Sequence, residues 1–133
     1  MRWQVQETVG EFGRLIGVED LVLSERGSIT LEIERIGKLN IEIVGQRDDR
    51  VAVSLSRQYR EPFPEDASRL ALENCHYRAS RPFPIHAALA GGGYLAFAIC
   101  LDTGDLTVQN IYHMIDELDR LHQSMGRLAS FEY

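Results

Sequence analysis

Cys75-His76 places a thiol beside an imidazole, the pairing that thiol-dependent catalysis needs. On a helix, however, adjacent side chains diverge by about 100° and do not face each other. No basic cluster or helix N-terminus stands nearby to stabilise a thiolate. Histidines occur at 76, 86, 113 and 122, none in an HExxH arrangement. His113 and His122 share a helical azimuth but lie roughly two and a half turns apart, too far to hold one metal ion. Boundary or surface positions are the expectation for all four. Gly91-Gly92-Gly93 resembles a phosphate cradle only in composition, because it leads into a strand and lacks the Gly-Lys-Ser/Thr of a P-loop or the GxGxxG of a dinucleotide site. Glu32, Glu34 and Glu42 could pair as acid and base in glycoside hydrolysis. No aromatic groove accompanies them, and a solvated sheet face accounts for them more simply. These residues point to no catalytic group, no cofactor and no metal.

The elements that would position such groups are more legible. Val5, Val9, Phe12 and Ile16 recur at steps of four, three and four, which predicts a helix from about Arg2 to Ile16 with Gly17 as its C′ residue. Gly10 and Gly13 weaken it slightly and could let another backbone approach closely. Val18 to Leu23 is an apolar connector. Ile29, Leu31 and Ile33 alternate with polar residues, as do Leu39, Ile41 and Ile43, and Val51, Val53 and Leu55. Turns at Gly37-Lys38 and at Gln46 to Asp49 make these three strands antiparallel. Pro62-Phe63-Pro64 and Pro82-Phe83-Pro84 bracket a helix from Glu65 to about Tyr77. Ile85 to Ala90 and the uncharged Tyr94 to Leu101 predict two more strands, the second covered on both faces, joined by the glycine hairpin. Ala96 and Ala98 suit a packed helix or a second subunit. Ile111, Met114, Ile115, Leu118, Leu121, Met125 and Leu128 predict a final helix whose stripe can cover a sheet. Phe131-Glu132-Tyr133 is a tail.

The order is therefore α-β-β-β-α-β-β-α, an α+β fold in one domain spanning 1–133, with an antiparallel sheet and helices packed on it. At 44% hydrophobic residues, a chain of this length can bury roughly two-thirds of its unfolded surface and needs no disulfide. Cys75 and Cys100 read as small buried hydrophobes of a reducing compartment. A net charge of −6 disfavours nucleic acid and anionic membranes as partners. No apolar run reaches the ~18 residues of a membrane span, and the N-terminus does not read as a signal peptide. A cytoplasmic location is expected. Sheet edges and apolar faces on so small a chain are normally covered, which points to protein partners.

Several stretches resemble the class I type III secretion chaperones, the family of the Tir chaperone. Phe12-Gly13-Arg14-Leu15-Ile16-Gly17-Val18-Glu19-Asp20-Leu21-Val22-Leu23 is similar to that family's first helix and the LGLxxLxL stretch leading into its sheet. Ile29 to Ile33 and Leu39 to Ile43 are similar to its first two strands. Leu70-Ala71-Leu72-Glu73-Asn74 resembles the end of its second helix, Gly92 to Phe97 a strand start rich in small residues, and Leu106 to Leu121 its last helix.

With no catalytic constellation in the sequence the chain reads as non-enzymatic, and the resemblance implies a small acidic homodimer without ATPase activity. It would bind the N-terminal segment of a secreted effector in extended form and keep it soluble and secretion-competent. It also implies a dimer interface on Leu70, Leu72 and Cys75 with Tyr94, Phe97 and Ile99. Val5, Phe12, Leu31, Ile33, Leu39, Ile41 and Ile43 would then supply the partner-binding region, with some of them in the core. Two other readings stay open: an adaptor of the same fold that binds a cytoplasmic regulator, and a small hydrolase using Cys75, His76 and the strand glutamates.

Overall fold

A computed structural model describes residues 2–59, 85–90 and 93–129. The expected middle helix, both proline triplets, Leu70, Leu72, Cys75, His76, Gly91-Gly92 and the Phe131 to Tyr133 tail lie outside the described residues.

The described chain runs α1 (Arg2–Leu15), β1 (Ser28–Ile33), β2 (Gly37–Val44), β3 (Arg50–Gln58), β4 (Ile85–Ala90), β5 (Tyr94–Asp102), a 3-10 turn (Thr103–Asp105) and α2 (Val108–Ala129). The five strands form one sheet in the order β1-β2-β3-β5-β4, and every pairing is antiparallel. This is the expected α+β architecture. β5 sits between β3 and β4, so the most apolar strand is an interior one.

Alternation decides which side chains enter the core. Leu39, Ile41 and Ile43 of β2 share a face with Val51, Val53 and Leu55 of β3 and with Leu95, Phe97 and Ile99 of β5, and all nine are buried. The register sets Ile41 opposite Val53, and Val53 opposite Ile99, which carries the apolar rows across the sheet. α1 contributes Val5, Val9 and Phe12 to this core, and α2 contributes Ile111, Met114, Leu118, Leu121 and Met125. Phe12 meets Tyr112 edge to face at 5.5 Å, tying the two helices together. The other face of the sheet carries Ala52, Ser54, Ser56, Ala96, Ala98 and Cys100, all half-buried. Among the described residues, then, β5 is fully covered on one face and half-buried on the other.

Local chemistry ends the elements where it should. Gly17 adopts φ +87° at C′ of α1, the Gly17 amide donates to the Arg14 carbonyl, and the Val18 amide donates to the Gly13 carbonyl at 2.7 Å, a Schellman arrangement. α2 begins at Thr107, whose hydroxyl accepts from the Asn110 amide at 3.0 Å as an N-cap does. The β1–β2 turn falls on Glu34 to Ile36, with Arg35 at φ +69°, and Gly37-Lys38 opens β2. The turn therefore lies just before the Gly37-Lys38 pair expected to form it.

Candidate partner-binding surface

After the Schellman turn, the connector runs back along α1. Gly13 makes this close return possible: a Cβ there would lie 2.7 Å from the Val18 carbonyl oxygen and 3.0 Å from Leu21 Cβ. The close approach that the glycines of α1 suggested is made by the same chain. Gln6 then acts as a surrogate strand. Its side-chain amide donates to the Leu21 carbonyl at 2.9 Å, and its Oε1 accepts from the Leu23 amide at 2.8 Å. At the end of the run Arg2 donates to the Glu25 carbonyl at 2.9 Å and faces Asp48 at 3.6 Å. With both its neighbours turned toward α1, Val22 projects outward and is 66% exposed.

The result is a groove between helix and connector. One stretch of about 680 Å³ is lined by Gln6, Glu7, Gly10, Glu11, Arg14 and residues 19–22. The next, also about 680 Å³, is lined by Arg2, Trp3, Gln6 and residues 23–25. Gln6 belongs to both. Trp3 is 63% exposed here, and Leu15 is 61% exposed near the other end of α1. Trp3, Leu15 and Val22 thus stay uncovered along α1 and its connector.

β1 is an edge strand, hydrogen-bonded to β2 on one side of the sheet order. Leu31 and Ile33 are half-buried there, at the margin of the helical cover. Of the seven residues assigned to partner contact, these two keep accessible surface. Val5, Phe12, Leu39, Ile41 and Ile43 are buried in the core and offer a partner no surface, which corrects their assignment. The same correction applies to Phe97 and Ile99, both fully buried beneath the helices. Tyr94 lies on the opposite face, half-buried, with Lys38 Nζ 5.5 Å from its ring centroid.

Among the described residues the candidate catalytic groups do not converge, and Cys75 and His76 lie outside them. Glu32 stands opposite Lys38, and Glu42 opposite Ser28, so these two carboxylates sit at opposite ends of the β1–β2 pair, about 13 Å apart along the strand. His86 and His113 are exposed on different elements. Among the described residues no group of three or more His, Cys, Asp or Glu is placed to hold a metal ion. No described helix is long and apolar enough to cross a membrane.

His122 departs from the surface position expected of it. It is fully buried. Its Nε2 lies 2.8 Å from the Leu55 carbonyl, which only accepts, so Nε2 carries the proton and donates. Nδ1 then accepts from the Tyr59 hydroxyl at 2.6 Å. The ring meets Phe97 edge to face at 4.9 Å and stacks on Tyr59 at 5.8 Å. Burial pushes the imidazole pKa down to about 4. The Leu55 carbonyl opposes that shift, and Arg57 adds to it. Arg57, itself buried, pairs with Asp119 and donates through Nε to the Ile36 carbonyl, holding the β1–β2 turn against α2. Both arrangements build the fold and present no reactive group to solvent.

The fold is that of several solved protein complexes, two of them described as complexes of a chaperone. A chain of the ExsC–ExsE complex superposes with a TM-score of 0.79 at 19% identity, over 97% of this chain and 96% of that one. A chain of the HopA1–SchA chaperone–effector complex gives 0.67 at 14% identity, over 93% and 91%. The type III secretion chaperone SycH of Yersinia pestis, in complex with a stable fragment of YscM2, is matched at 0.67 and 15% identity, over 90% and 98%. At such identities the likeness is one of fold. No curated protein sequence matches the chain. The family model of the type III secretory system chaperone SycN matches residues 3–125, nearly the whole chain. The resemblance seen in the sequence is thereby borne out, and the chain belongs to the type III secretory system chaperone SycN family.

Proposed function

We propose that this chain is a non-enzymatic, cytoplasmic chaperone that binds the N-terminal segment of a secreted effector in extended form and keeps it soluble and competent for export. The observation that carries the reading is the family match over residues 3–125. Two structural features support it. Among the described residues β1 pairs only with β2 and carries half-buried Leu31 and Ile33, so an added strand could extend the sheet there and cover both side chains. The groove along α1 exposes Trp3 beside that edge strand's lead-in, and Val22 further along the connector. The similar HopA1–SchA structure is itself a chaperone–effector complex.

The chaperone acts as a homodimer. The sheet face opposite the described helices carries the small side chains Ala52, Ser54, Ser56, Ala96 and Ala98, which would let a second copy approach closely. Tyr94 borders this face, and the family resemblance adds Leu70, Leu72 and Cys75. Phe97 and Ile99 take no part, being core.

Affinity capture from the native cell tests the reading. The chain should retain a larger secreted protein through that protein's N-terminal region. Leu31→Asp should abolish the retention and leave the dimer intact by sizing. A stable monomer at micromolar concentration would exclude the dimeric form. Retention of a cytoplasmic regulator alone would favour the adaptor reading.

A further inference from the structure

The groove along α1 has a chemical bias that its apolar residues do not explain. Trp3, Glu7, Gly10 and Arg14 recur at steps of four, three and four, so they form one helical stripe facing the returning connector. Around the middle of this stripe stand Glu7, Glu11, Glu19 and Asp20, all exposed, with Arg14 as the one cation among the described residues that line that stretch. Arg2, at the far end, is already engaged with the Glu25 carbonyl and Asp48. Gly10 leaves the floor open: a Cβ there would meet only the ends of the Arg14 and Gln6 side chains, at 3.7 and 3.8 Å. The surface is therefore apolar at the Trp3 end and acidic in the middle.

We propose that this groove receives a short basic stretch of the client in extended form, with an arginine or lysine among the four carboxylates and a bulky apolar side chain against Trp3 and Leu23. The dimensions fit. The stripe from Trp3 to Arg14 rises about 17 Å along the helix, the span of about five extended residues. Every second side chain of such a segment points into the groove, which puts cationic and apolar anchors at i and i+4. Opposite charge across a partly exposed surface raises the encounter rate and rejects acidic segments more than it adds affinity. The groove would thus select among clients, while the β1 edge, blind to side-chain charge, holds them.

This inference rests on the chaperone reading, but its test can fail separately. The full chain is titrated against two labelled peptides of about ten residues, one alternating Arg and Leu, the other its twin with Glu for Arg, with binding read by fluorescence anisotropy. The arginine peptide should bind at least about tenfold more tightly than the glutamate twin, and raised salt should weaken it. Glu11→Lys with Glu19→Lys, at exposed positions, should erase the preference. Gly10→Leu, which fills the floor and favours the helix, should weaken the arginine peptide about tenfold or more and leave circular dichroism unchanged. Equal binding of the two peptides, or a preference that survives both variants, would overturn the proposal. If the charge-reversed chain still captures its secreted client at the wild-type level, the groove proposal fails and the chaperone reading stands. If no secreted protein is captured by either chain, the chaperone reading fails and the peptide titration alone decides the groove.

Discussion

Lowering the pH should destabilise this fold through His122 before the carboxylates titrate. The imidazole is buried and neutral, with a pKa near 4 in the folded protein, against about 6.5 in the unfolded chain. The unfolded state therefore binds the extra proton between these values, and stability falls as pH drops through that window. Above pH ~6.5 the full stability is present. By pH 5 about 2 kcal/mol is lost, and well below pH ~4 the loss levels off at ~3.5 kcal/mol, the pKa difference at about 1.4 kcal/mol per unit. For a domain expected to be stable by about 5–15 kcal/mol this is a large fraction. Urea unfolding followed by far-UV circular dichroism at half-unit pH intervals measures it. His122→Gln removes the titrating group and should flatten the slope between pH 7 and 5. It should also lower stability at pH 7 by about 2 kcal/mol through the disturbed bonds to Tyr59 and Leu55. Parallel pH curves for the wild type and the variant would refute the reasoning, because they would mean that His122 takes up its proton equally in both states.

Other substitutions probe separate contacts. Gly13→Ala should cost about 1–3 kcal/mol in urea unfolding despite a better helix propensity, because its Cβ meets the Val18 carbonyl at 2.7 Å. Gly10→Ala, with open space at the same helix's middle, should instead stabilise by up to about 1 kcal/mol. Asp119→Leu leaves the buried Arg57 guanidinium without its carboxylate and should cost about 3 kcal/mol, and Arg57→Met in the same chain should recover part of that loss in a double-mutant cycle. Phe97→Ala should cost about 3–5 kcal/mol as a core truncation, the magnitude expected of a side chain that faces the helices and not a second copy.

Periodicity made the elements legible. Steps of three and four in Val5, Val9 and Phe12, and alternation from Ile29 to Leu55, report which side of a helix or strand avoids water, and that local preference survives folding here. What alternation cannot say is what covers the avoided side. Ile41 and Ile33 look alike in sequence. One is buried at the sheet's centre, and the other is half-buried on the edge strand. Seven candidate partner residues therefore shrink to Leu31 and Ile33, because the layer formed by α1 and α2 does the sorting.

Some signals were present but easily overlooked. His122 lies four residues after Leu118 and three before Met125, on the buried stripe of α2, so its spacing already placed it inside. Arg57 continues the inward series Val51, Val53, Leu55. Their partners were not legible: Arg57 meets Asp119 across 62 positions, and Tyr59 meets His122 across 63, pairings that exist only once the sheet and α2 are stacked. The Gln6 clamp on Leu21 and Leu23 was equally invisible, because nothing in a glutamine's identity reveals that a connector will run antiparallel beside it.

A dimer that holds a foreign polypeptide segment, as proposed above, should be isolable with that segment bound. Native mass spectrometry of the chain purified from its own cell, coupled to hydrogen exchange on the same sample, tests it most directly. Two copies of the chain bound to one larger secreted protein are expected, with slowed exchange confined to that protein's N-terminal segment and to the β1 edge and α1 groove here. A single unaccompanied copy, or a bound client protected elsewhere while β1 and α1 exchange as in the free chain, would contradict it.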